Sequence, residues 1–255
     1  MKALLIVDPL NDFLNINGVA WKAVDKSVKK NNTIEHLKEL IDNSNKNKIK
    51  IFVSPHCYTN KEDLNWKFGG FIENFMLKNK MFFTKFGCEI IKELKDGLKN
   101  AIICSSHKIY GPQTTDLTLQ LRKNDIDEVF VCGMSANLCV ESHIRHLLEC
   151  GFKVNVIKDA TAGALLPIGD GYESALINFY YICSSVLTTK EYCKKSVNKL
   201  SKKSKKSKKS EKREKIEKSG KIEKSGKIEK SGKIEKSEKS EKSKKSKKIK
   251  KSKKE

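Results

Sequence analysis

The sequence lacks the cysteine patterns and apolar segments that mark several large protein classes. None of its eight cysteines forms a Cys-x-x-Cys pair, and no run of cysteine and histidine has zinc-finger spacing. No apolar run reaches the roughly 18 residues of a membrane span. The opening apolar stretch Ala3–Val7 is too short for a secretory signal peptide. These absences argue against zinc-finger and membrane-spanning proteins and predict a cytoplasmic protein with reduced cysteines.

The net charge of +22 is concentrated in the C-terminal part of the chain. Residues 201–255 hold 26 Lys or Arg and 9 Glu, whereas 27 Lys or Arg and 22 Asp or Glu precede them. The first 200 residues therefore have an ordinary charge balance. The basic character of the whole chain consequently says nothing about the function of its first part.

The basic C-terminal part is built from repeats with very few apolar residues. A Lys-Ile-Glu-Lys-Ser-Gly hexapeptide begins at Lys215, Lys221 and Lys227. One isoleucine in six residues cannot bury enough surface to offset chain entropy, and serine and glycine oppose helix formation. The same scarcity disfavours a solenoid, the alternative for any repeat. We therefore predict one folded domain over residues 1–193 and a disordered, low-complexity tail over residues 194–255.

Short apolar runs alternate with amphipathic stretches throughout residues 1–193. Such alternation predicts an α/β domain of three αβα layers, Rossmann-like, with a central, mainly parallel six-stranded sheet and helices on both faces. Sites in such sheets lie at the carboxyl ends of the strands. Six runs rich in Ile, Val, Phe and Cys predict the buried strands: Ala3–Val7, Ile49–Val53, Ala101–Cys104, Glu128–Cys132, Lys153–Ile157 and Ser185–Leu187.

Three of the segments that follow predicted strands carry candidate site residues. Asp8 directly follows the first strand, where an acid is either a loop cap or a catalytic group. Lys108 lies in a loop after the third strand and is either a solvated surface charge or a site residue. Cys139 lies near the start of a helix after the fourth strand. The helix N-terminus would favour a thiolate there, and its N–H groups could hold an oxyanion; the alternative is an ordinary buried cysteine.

In this order and at these strand ends, the segments resemble the isochorismatase-like cysteine hydrolases, the superfamily of nicotinamidase, N-carbamoylsarcosine amidase and isochorismatase. The resemblance covers about residues 1–189. Its most specific motifs are IVDPLNDF from Ile6, SHKIYGPQ from Ser106 and GMSANLCVESH from Gly133, and KDATAG from Lys158 also fits.

The resemblance implies a catalytic triad of Asp8, Lys108 and Cys139. Cys139 would attack a carbonyl carbon, Asp8 would take the thiol proton and return it to the leaving amine, and Lys108 would lower the thiol pKa and hold Asp8. A cis peptide between Met134 and Ser135 is also implied, which would aim the N–H groups of Ser135 and Cys139 at the oxyanion. The implied activity is hydrolysis of a small amide or related C–N bond through a thioester-type intermediate. Because Cys139 is present, amide chemistry is favoured over isochorismatase-type vinyl-ether hydrolysis.

The metal site of the nicotinamidases is not expected in this chain. Nicotinamidases bind a metal through an Asp-x-His pair after the second strand and a further histidine downstream. This chain has Ser54 in place of the aspartate, and no histidine occurs between His56 and His107. One histidine without a carboxylate is a poor divalent-metal site, so we predict no metal and no cofactor. His107, His143 and His146 are interpreted as structural.

Aromatic residues are predicted to form much of the substrate pocket. The resemblance and the loop positions assign Phe13, His56, Trp66 and Tyr110 to it, which suits a small planar or apolar amide. His56 would either hydrogen-bond the substrate or be structural. Trp66, with Phe68, could instead pack an oligomer contact, since the resemblance implies a homo-oligomer.

A different class of function stays open, in which the domain is non-catalytic and the basic tail binds another molecule or surface. Its lysines could contact nucleic acid or an anionic surface weakly and with strong salt dependence. Lys-Lys-Ser-Lys-Lys blocks could also serve as nuclear localisation signals. Without aromatics and with almost no arginine, the tail is not expected to recognise a specific nucleic-acid sequence. A third interpretation gives Cys139 a redox role.

Overall fold

The computed structural model describes residues 1–58, 69–108 and 110–195, together with Lys239 and Lys242. Nearly all of the predicted tail lies outside these residues, as does Trp66. Within the described part of the chain, no helix has the length and apolar character that a membrane crossing needs.

A six-stranded parallel sheet forms the centre of the fold. Its strand order is β3-β2-β1-β4-β5-β8, and two short antiparallel strands, β6 and β7, pair separately. All six predicted strands are confirmed, and β5 continues beyond its predicted end. The strands are β1 (Lys2–Val7), β2 (Lys50–Ser54), β3 (Ile102–Ile103), β4 (Glu128–Gly133), β5 (Lys153–Thr161), β6 (Leu165–Leu166), β7 (Gly169–Asp170) and β8 (Ser185–Leu187).

Helices cover both faces of the sheet, as the sequence predicts. A π-helical turn, Ala136–Val140, leads directly from the end of β4 into the helix that follows it. The α-helices are α1 (Asn11–Leu14), α2 (Trp21–Lys30), α3 (Thr33–Lys46), α4 (Phe71–Asn79), α5 (Lys85–Cys88), α6 (Lys92–Lys95), α7 (Leu117–Lys123), α8 (Glu141–Glu149) and α9 (Gly171–Ile182).

Two apolar cores follow from the alternation of side chains along β1. Leu4 and Ile6 pack with residues of α2 and α3, whereas Leu5 and Val7 pack on the other face with residues of α7, α8 and α9. Because successive strand side chains point to opposite faces, a strand buried on both sides must be apolar throughout. This is why β1 reads as an uninterrupted apolar run, and it produces the three αβα layers.

Helix periodicity accounts for the packing of the longer helices. In α3, Leu37, Leu40 and Ile41 are buried at helical spacing against the sheet. Each such side chain stabilises the fold by about 1.5–3 kcal/mol relative to an exposed one. Gly151 follows the end of α8 with φ of 80°, a backbone conformation that glycine adopts without penalty.

The carboxyl ends of the three central strands meet at one edge of the sheet. Val7 at the end of β1 pairs with Ser54 on one side and with Gly133 on the other. The residues that follow these strands are therefore brought together. Gly133 has φ of 109°, and a Cβ there would lie 2.0 Å from the Val7 carbonyl oxygen, so the close approach of β4 to β1 requires glycine.

Candidate active site

Asp8 and Cys139 meet at this edge of the sheet. Asp8 follows β1 with φ of 48°, a left-handed conformation that aspartate tolerates better than most residues, and its side chain is fully buried. Cys139 lies in the π-helical turn that follows β4 and is also buried. The carboxylate of Asp8 hydrogen-bonds the thiol of Cys139. Two of the three predicted catalytic residues are thus in direct contact.

His107, the residue before the predicted Lys108, hydrogen-bonds the carboxylate of Asp8. His107 Nε2 lies 3.0 Å from Oδ1 and 3.1 Å from Oδ2 of Asp8, and both side chains have no exposed surface. Because a carboxylate only accepts hydrogen bonds, Nε2 carries the hydrogen and donates it. The sequence interpreted His107 as structural and did not anticipate this hydrogen bond, and Lys108 beside Asp8 stays a prediction.

Strand pairing explains why His107 takes this position. His107 forms an isolated parallel bridge with His56, which continues the pairing of β2 and β3 beyond their ends. In extended backbone, neighbouring side chains point to opposite sides. The bridge therefore directs the side chain of His107 toward Asp8.

Two further buried histidines, His56 and His143, flank His107. The ring of His107 lies 4.6 Å from that of His56 and 5.0 Å from that of His143. Burial, with His107 adding to it, holds the pKa of His56 well below its ordinary value. Burial likewise lowers the pKa of His143 to about 3, and His107 again adds to the effect. His56 and His143 are therefore neutral imidazoles at physiological pH.

Hydrogen bonds fix the tautomers of these two neutral histidines. His56 Nε2 donates to the Lys108 carbonyl oxygen, which leaves the lone pair of His56 on Nδ1. His143 Nδ1 donates to the Cys139 carbonyl oxygen at 2.6 Å, so His143 Nε2 accepts from the hydroxyl of Ser54 at 2.8 Å. His143 thereby ties the end of β2 to the turn that carries the thiol.

The thiol of Cys139 is protonated at rest. Burial raises the pKa of Cys139 well above its ordinary value, and the charge of Asp8 and its hydrogen bond add to the rise. Backbone hydrogen bonds of Ser135 and Cys139 act in the opposite direction but are smaller. The expected lowering of this pKa by the helix N-terminus and Lys108 is thus outweighed, because burial and the carboxylate both disfavour the thiolate.

The segment between β4 and Cys139 holds the predicted oxyanion-binding groups. The peptide bond between Met134 and Ser135, for which the resemblance implies the cis form, is cis. Both residues are buried, and the backbone groups of Ser135 and Cys139 hydrogen-bond the thiol sulfur. Among the described residues, Ser135 Oγ and Asn137 Oδ1 have no hydrogen-bond partner. The turn therefore presents N–H groups beside the sulfur and an unsatisfied hydroxyl nearby.

A cavity of about 120 Å³ opens beside Cys139. Three of the predicted pocket residues, Phe13, His56 and Tyr110, line it, and Tyr110 donates its hydroxyl hydrogen to the Glu73 carboxylate. The fourth, Trp66, lies outside the described residues. The sequence analysis missed an apolar wall made by α4 and the segment after it, because that region lies far along the chain from the end of any predicted strand. The members of this wall are Phe71, Ile72, Phe75, Met76, Met81 and Phe82.

The Asp-x-His metal pair of the nicotinamidases does not fit the geometry at the end of β2. Ser54 stands where that pair has its aspartate, and its hydroxyl donates a hydrogen bond to His143 Nε2. A different group of four potential metal ligands lies at the site, however. One donor atom from each of Asp8, His56, His107 and Cys139 falls within 4.8 Å of the others. Sequence spacing did not reveal this group, because its members come from four separate segments.

Comparison with known proteins identifies the fold and the family. Residues 2–191 match the family described as the isochorismatase domain. The chain is 46% identical over 50 residues to an uncharacterised isochorismatase family protein, YecD, of Escherichia coli O157:H7, a span of 20% of this chain and 27% of that relative.

Solved structures show the same fold over nearly their whole length. A cysteine hydrolase from Pseudomonas syringae superposes with a TM-score of 0.66 at 20% identity, covering 77% of this chain and 92% of that one. A nicotinamidase from Bacillus subtilis superposes with a TM-score of 0.57 at 20% identity, covering 73% and 98%. Because the family match runs through all six strands of the central sheet, the chain belongs to the isochorismatase domain family.

Proposed function

We propose that the protein hydrolyses the C–N bond of a small amide, with Cys139 as nucleophile and Asp8 as its proton acceptor. The observation that carries this proposal is the buried thiol of Cys139, hydrogen-bonded to the buried carboxylate of Asp8 beside an apolar cavity. His107 donates a hydrogen bond to the same carboxylate. Lys108 is kept in this proposal as the third member of the triad, in the role that the resemblance gives it. The solved nicotinamidase of the same fold supports the choice of an amide.

The resting state of the site defines the first chemical step. Since the thiol is protonated, it must lose its proton as the sulfur attacks the substrate carbonyl carbon, and Asp8 is the acceptor in contact. A C–S bond forms, and the carbonyl electrons move to oxygen. The backbone N–H groups of Ser135 and Cys139 would stabilise this oxyanion.

The remaining steps return the proton and release the enzyme. The tetrahedral intermediate collapses by breaking the C–N bond, and protonated Asp8 gives its proton to the leaving nitrogen. Water then attacks the thioester carbon on Cys139 while Asp8 accepts a water proton, so that a C–O bond forms. The C–S bond breaks, Asp8 returns the proton to the sulfur, and the carboxylic acid product leaves. His107 keeps its hydrogen throughout and acts as a positioning residue, because its Nε2–H donates to Asp8 in either half of the cycle.

The cavity indicates the class of amide. A volume of about 120 Å³ is comparable with the roughly 150 Å³ apolar cavity that accommodates one benzene ring. Its wall is mostly aromatic and methionine side chains, whereas Ser135 Oγ and the neutral ring of His56 are among its few polar groups. A flat, uncharged amide with a single ring fits these features better than a charged or extended substrate.

Hydrolysis of a panel of small amides tests the proposal. Nicotinamide, N-carbamoyl compounds and ureido acids would be offered to the full chain and to Cys139→Ala, with Cys150→Ala, a half-buried cysteine in the cap of α8, as the matched control. We expect turnover in the wild type and the control but not in Cys139→Ala, with or without a chelator. Turnover that persists in Cys139→Ala would exclude the nucleophile, and turnover that disappears with chelator would exclude a metal-independent reaction.

A further inference from the structure

We propose that Cys57 and Cys88 are a redox-sensitive thiol pair, which hydrogen peroxide converts into a reversible disulfide between the end of β2 and α5. Both cysteines are reduced and half-buried in the structure. Cys57 lies shortly after β2, and Cys88 is the last residue of α5, so sequence spacing does not reveal the pair. Neither thiol takes part in the proposed hydrolysis, and the pair therefore does not depend on that function.

Hydrogen bonds hold the two thiols together. The side chains of Cys57 and Cys88 hydrogen-bond each other, and the Cys88 thiol also meets the backbone N–H of Tyr58, the residue after Cys57. The Cys88 thiol donates to the Phe82 carbonyl oxygen at 2.9 Å, and the Tyr58 N–H donates to the same oxygen at 2.9 Å. Because one carbonyl binds groups from both segments, the two sulfur atoms need only small side-chain rotations to bond.

Different surroundings give the two thiols different roles. Burial raises the pKa of Cys88, and the hydrogen bond with Cys57 and the negative charge of Asp12 add to the rise. Cys88 is therefore protonated at rest and is a poor first nucleophile toward an oxidant. Cys57, which is partly exposed, takes the first step, and Cys88 is the resolving thiol beside it.

The reaction consumes one hydrogen peroxide for each pair of thiols. The sulfur of Cys57 attacks a peroxide oxygen, so that an S–O bond forms, the O–O bond breaks and the departing oxygen leaves as water with the thiol proton. The sulfur of Cys88 then attacks the sulfenic acid on Cys57. The S–S bond forms, the S–O bond breaks and a second water carries away the Cys88 proton. The thiols lose two electrons and the peroxide gains them, and exchange with a small thiol reverses the bond.

The disulfide joins two parts of the cavity wall. Cys57 directly follows His56, whose ring stacks on that of Phe82 at a centroid distance of 4.3 Å, and both rings line the cavity. Oxidation replaces the S–H group that donates to the Phe82 carbonyl with a covalent link to the residue after His56. A cross-link between residues 57 and 88 also restricts the unfolded chain, so the unfolding temperature should rise by about 5–10 °C.

Peptide mapping of the full chain tests the pair directly. The reduced protein is treated with excess hydrogen peroxide, blocked with iodoacetamide and digested with trypsin without reductant. Cleavage after Lys61 and Lys85 separates the two cysteines. We expect a cross-linked peptide of Cys57 and Cys88, lighter by two hydrogens than the sum of its parts, which dithiothreitol abolishes. Sulfinic or sulfonic acid on Cys57 beside a free Cys88, another pairing, or two unreacted thiols would overturn the proposal.

Cysteine variants supply the matched controls. Cys150→Ser removes a half-buried thiol in the cap of α8 and should keep both the cross-link and the peroxide-induced rise in unfolding temperature. Cys57→Ser and Cys88→Ser should each lose both. A rise that persists in Cys57→Ser would refute the disulfide as its cause. The peptide map of the wild type covers variants that fail to fold, and neither readout requires turnover, so an inactive amide panel would leave this test intact.

Discussion

His107 Nε2 lies 3.0 Å from Oδ1 of Asp8, and neither side chain has any exposed surface. Removing one partner of a buried pair leaves a desolvated charge, which costs about 3–5 kcal/mol of stability. The pair also fixes the carboxylate that contacts the thiol of Cys139. Substitution of His107 should therefore affect both stability and activity.

We expect His107→Gln to lower the unfolding temperature and to reduce kcat by up to about two orders of magnitude, the cost of misplacing a catalytic group by about 1 Å. His107→Lys, which keeps an N–H donor at this position, should recover part of the rate. Lys108→Met is the matched comparison and should retain more activity than His107→Gln. The measurements are thermal unfolding and kcat with KM for each variant. A larger loss of kcat in Lys108→Met than in His107→Gln would show that Lys108 contributes more to the reaction than His107.

The sequence predicts the sheet well because its physical signal is local. A strand such as β1, buried on both faces, must be a short uninterrupted apolar run, and the residue after it must lie at the sheet edge. Asp8 and Cys139 were therefore identifiable from position and motif. Predicting that they contact each other required only that β1 and β4 be neighbours, which the parallel sheet provides.

The sequence fails where the outcome depends on side-chain direction or on long-range packing. The contact of His107 with Asp8 depends on a bridge to His56 that local spacing does not report. The wall of α4 depends on where the segment after β2 folds back, and its apolar residues have no strand-end position to mark them. The thiol pKa was misjudged because burial and Asp8 cannot be weighed until the fold is known.

The raised pKa of the Cys139 thiol predicts how the rate of its alkylation depends on pH. Burial and Asp8 raise the pKa of this thiol, so the thiolate fraction is small at neutral pH and grows as pH rises toward that raised pKa. Alkylation of Cys139 by iodoacetamide should therefore be slow at pH 7 and still increase above pH ~9. Asp8→Asn removes the negative charge and should lower the pKa, so alkylation at pH 8 should accelerate. A rate that already reaches its plateau near pH 7 would contradict this account.

The close approach of β4 to β1 predicts unequal effects at two glycines with positive φ. Gly133→Ala places a Cβ 2.0 Å from the Val7 carbonyl oxygen and should separate the strand ends that carry the site. Gly151→Ala meets no atom within 4 Å, so it should cost only the backbone penalty of about 1 kcal/mol. Chemical denaturation of both variants measures the difference. Equal, small losses would show that the strands can move apart freely at Gly133.

We expect removal of the Ser135 hydroxyl to weaken substrate binding without destabilising the protein. Ser135 Oγ lines the cavity and, among the described residues, has no hydrogen-bond partner, so Ser135→Ala removes no internal hydrogen bond while keeping the backbone N–H. Because deleting an unsatisfied buried hydroxyl is close to neutral, the free energy of unfolding should change by less than about 1 kcal/mol. If the hydroxyl binds substrate, KM should rise by about tenfold, the value of one hydrogen bond of roughly 1.4 kcal/mol. Denaturation and steady-state kinetics measure the two quantities on the same preparation.

Cys139→Ala is the contrasting case, since it should abolish kcat instead. A stability loss with unchanged KM would assign the hydroxyl to the scaffold of the turn and remove it from substrate binding.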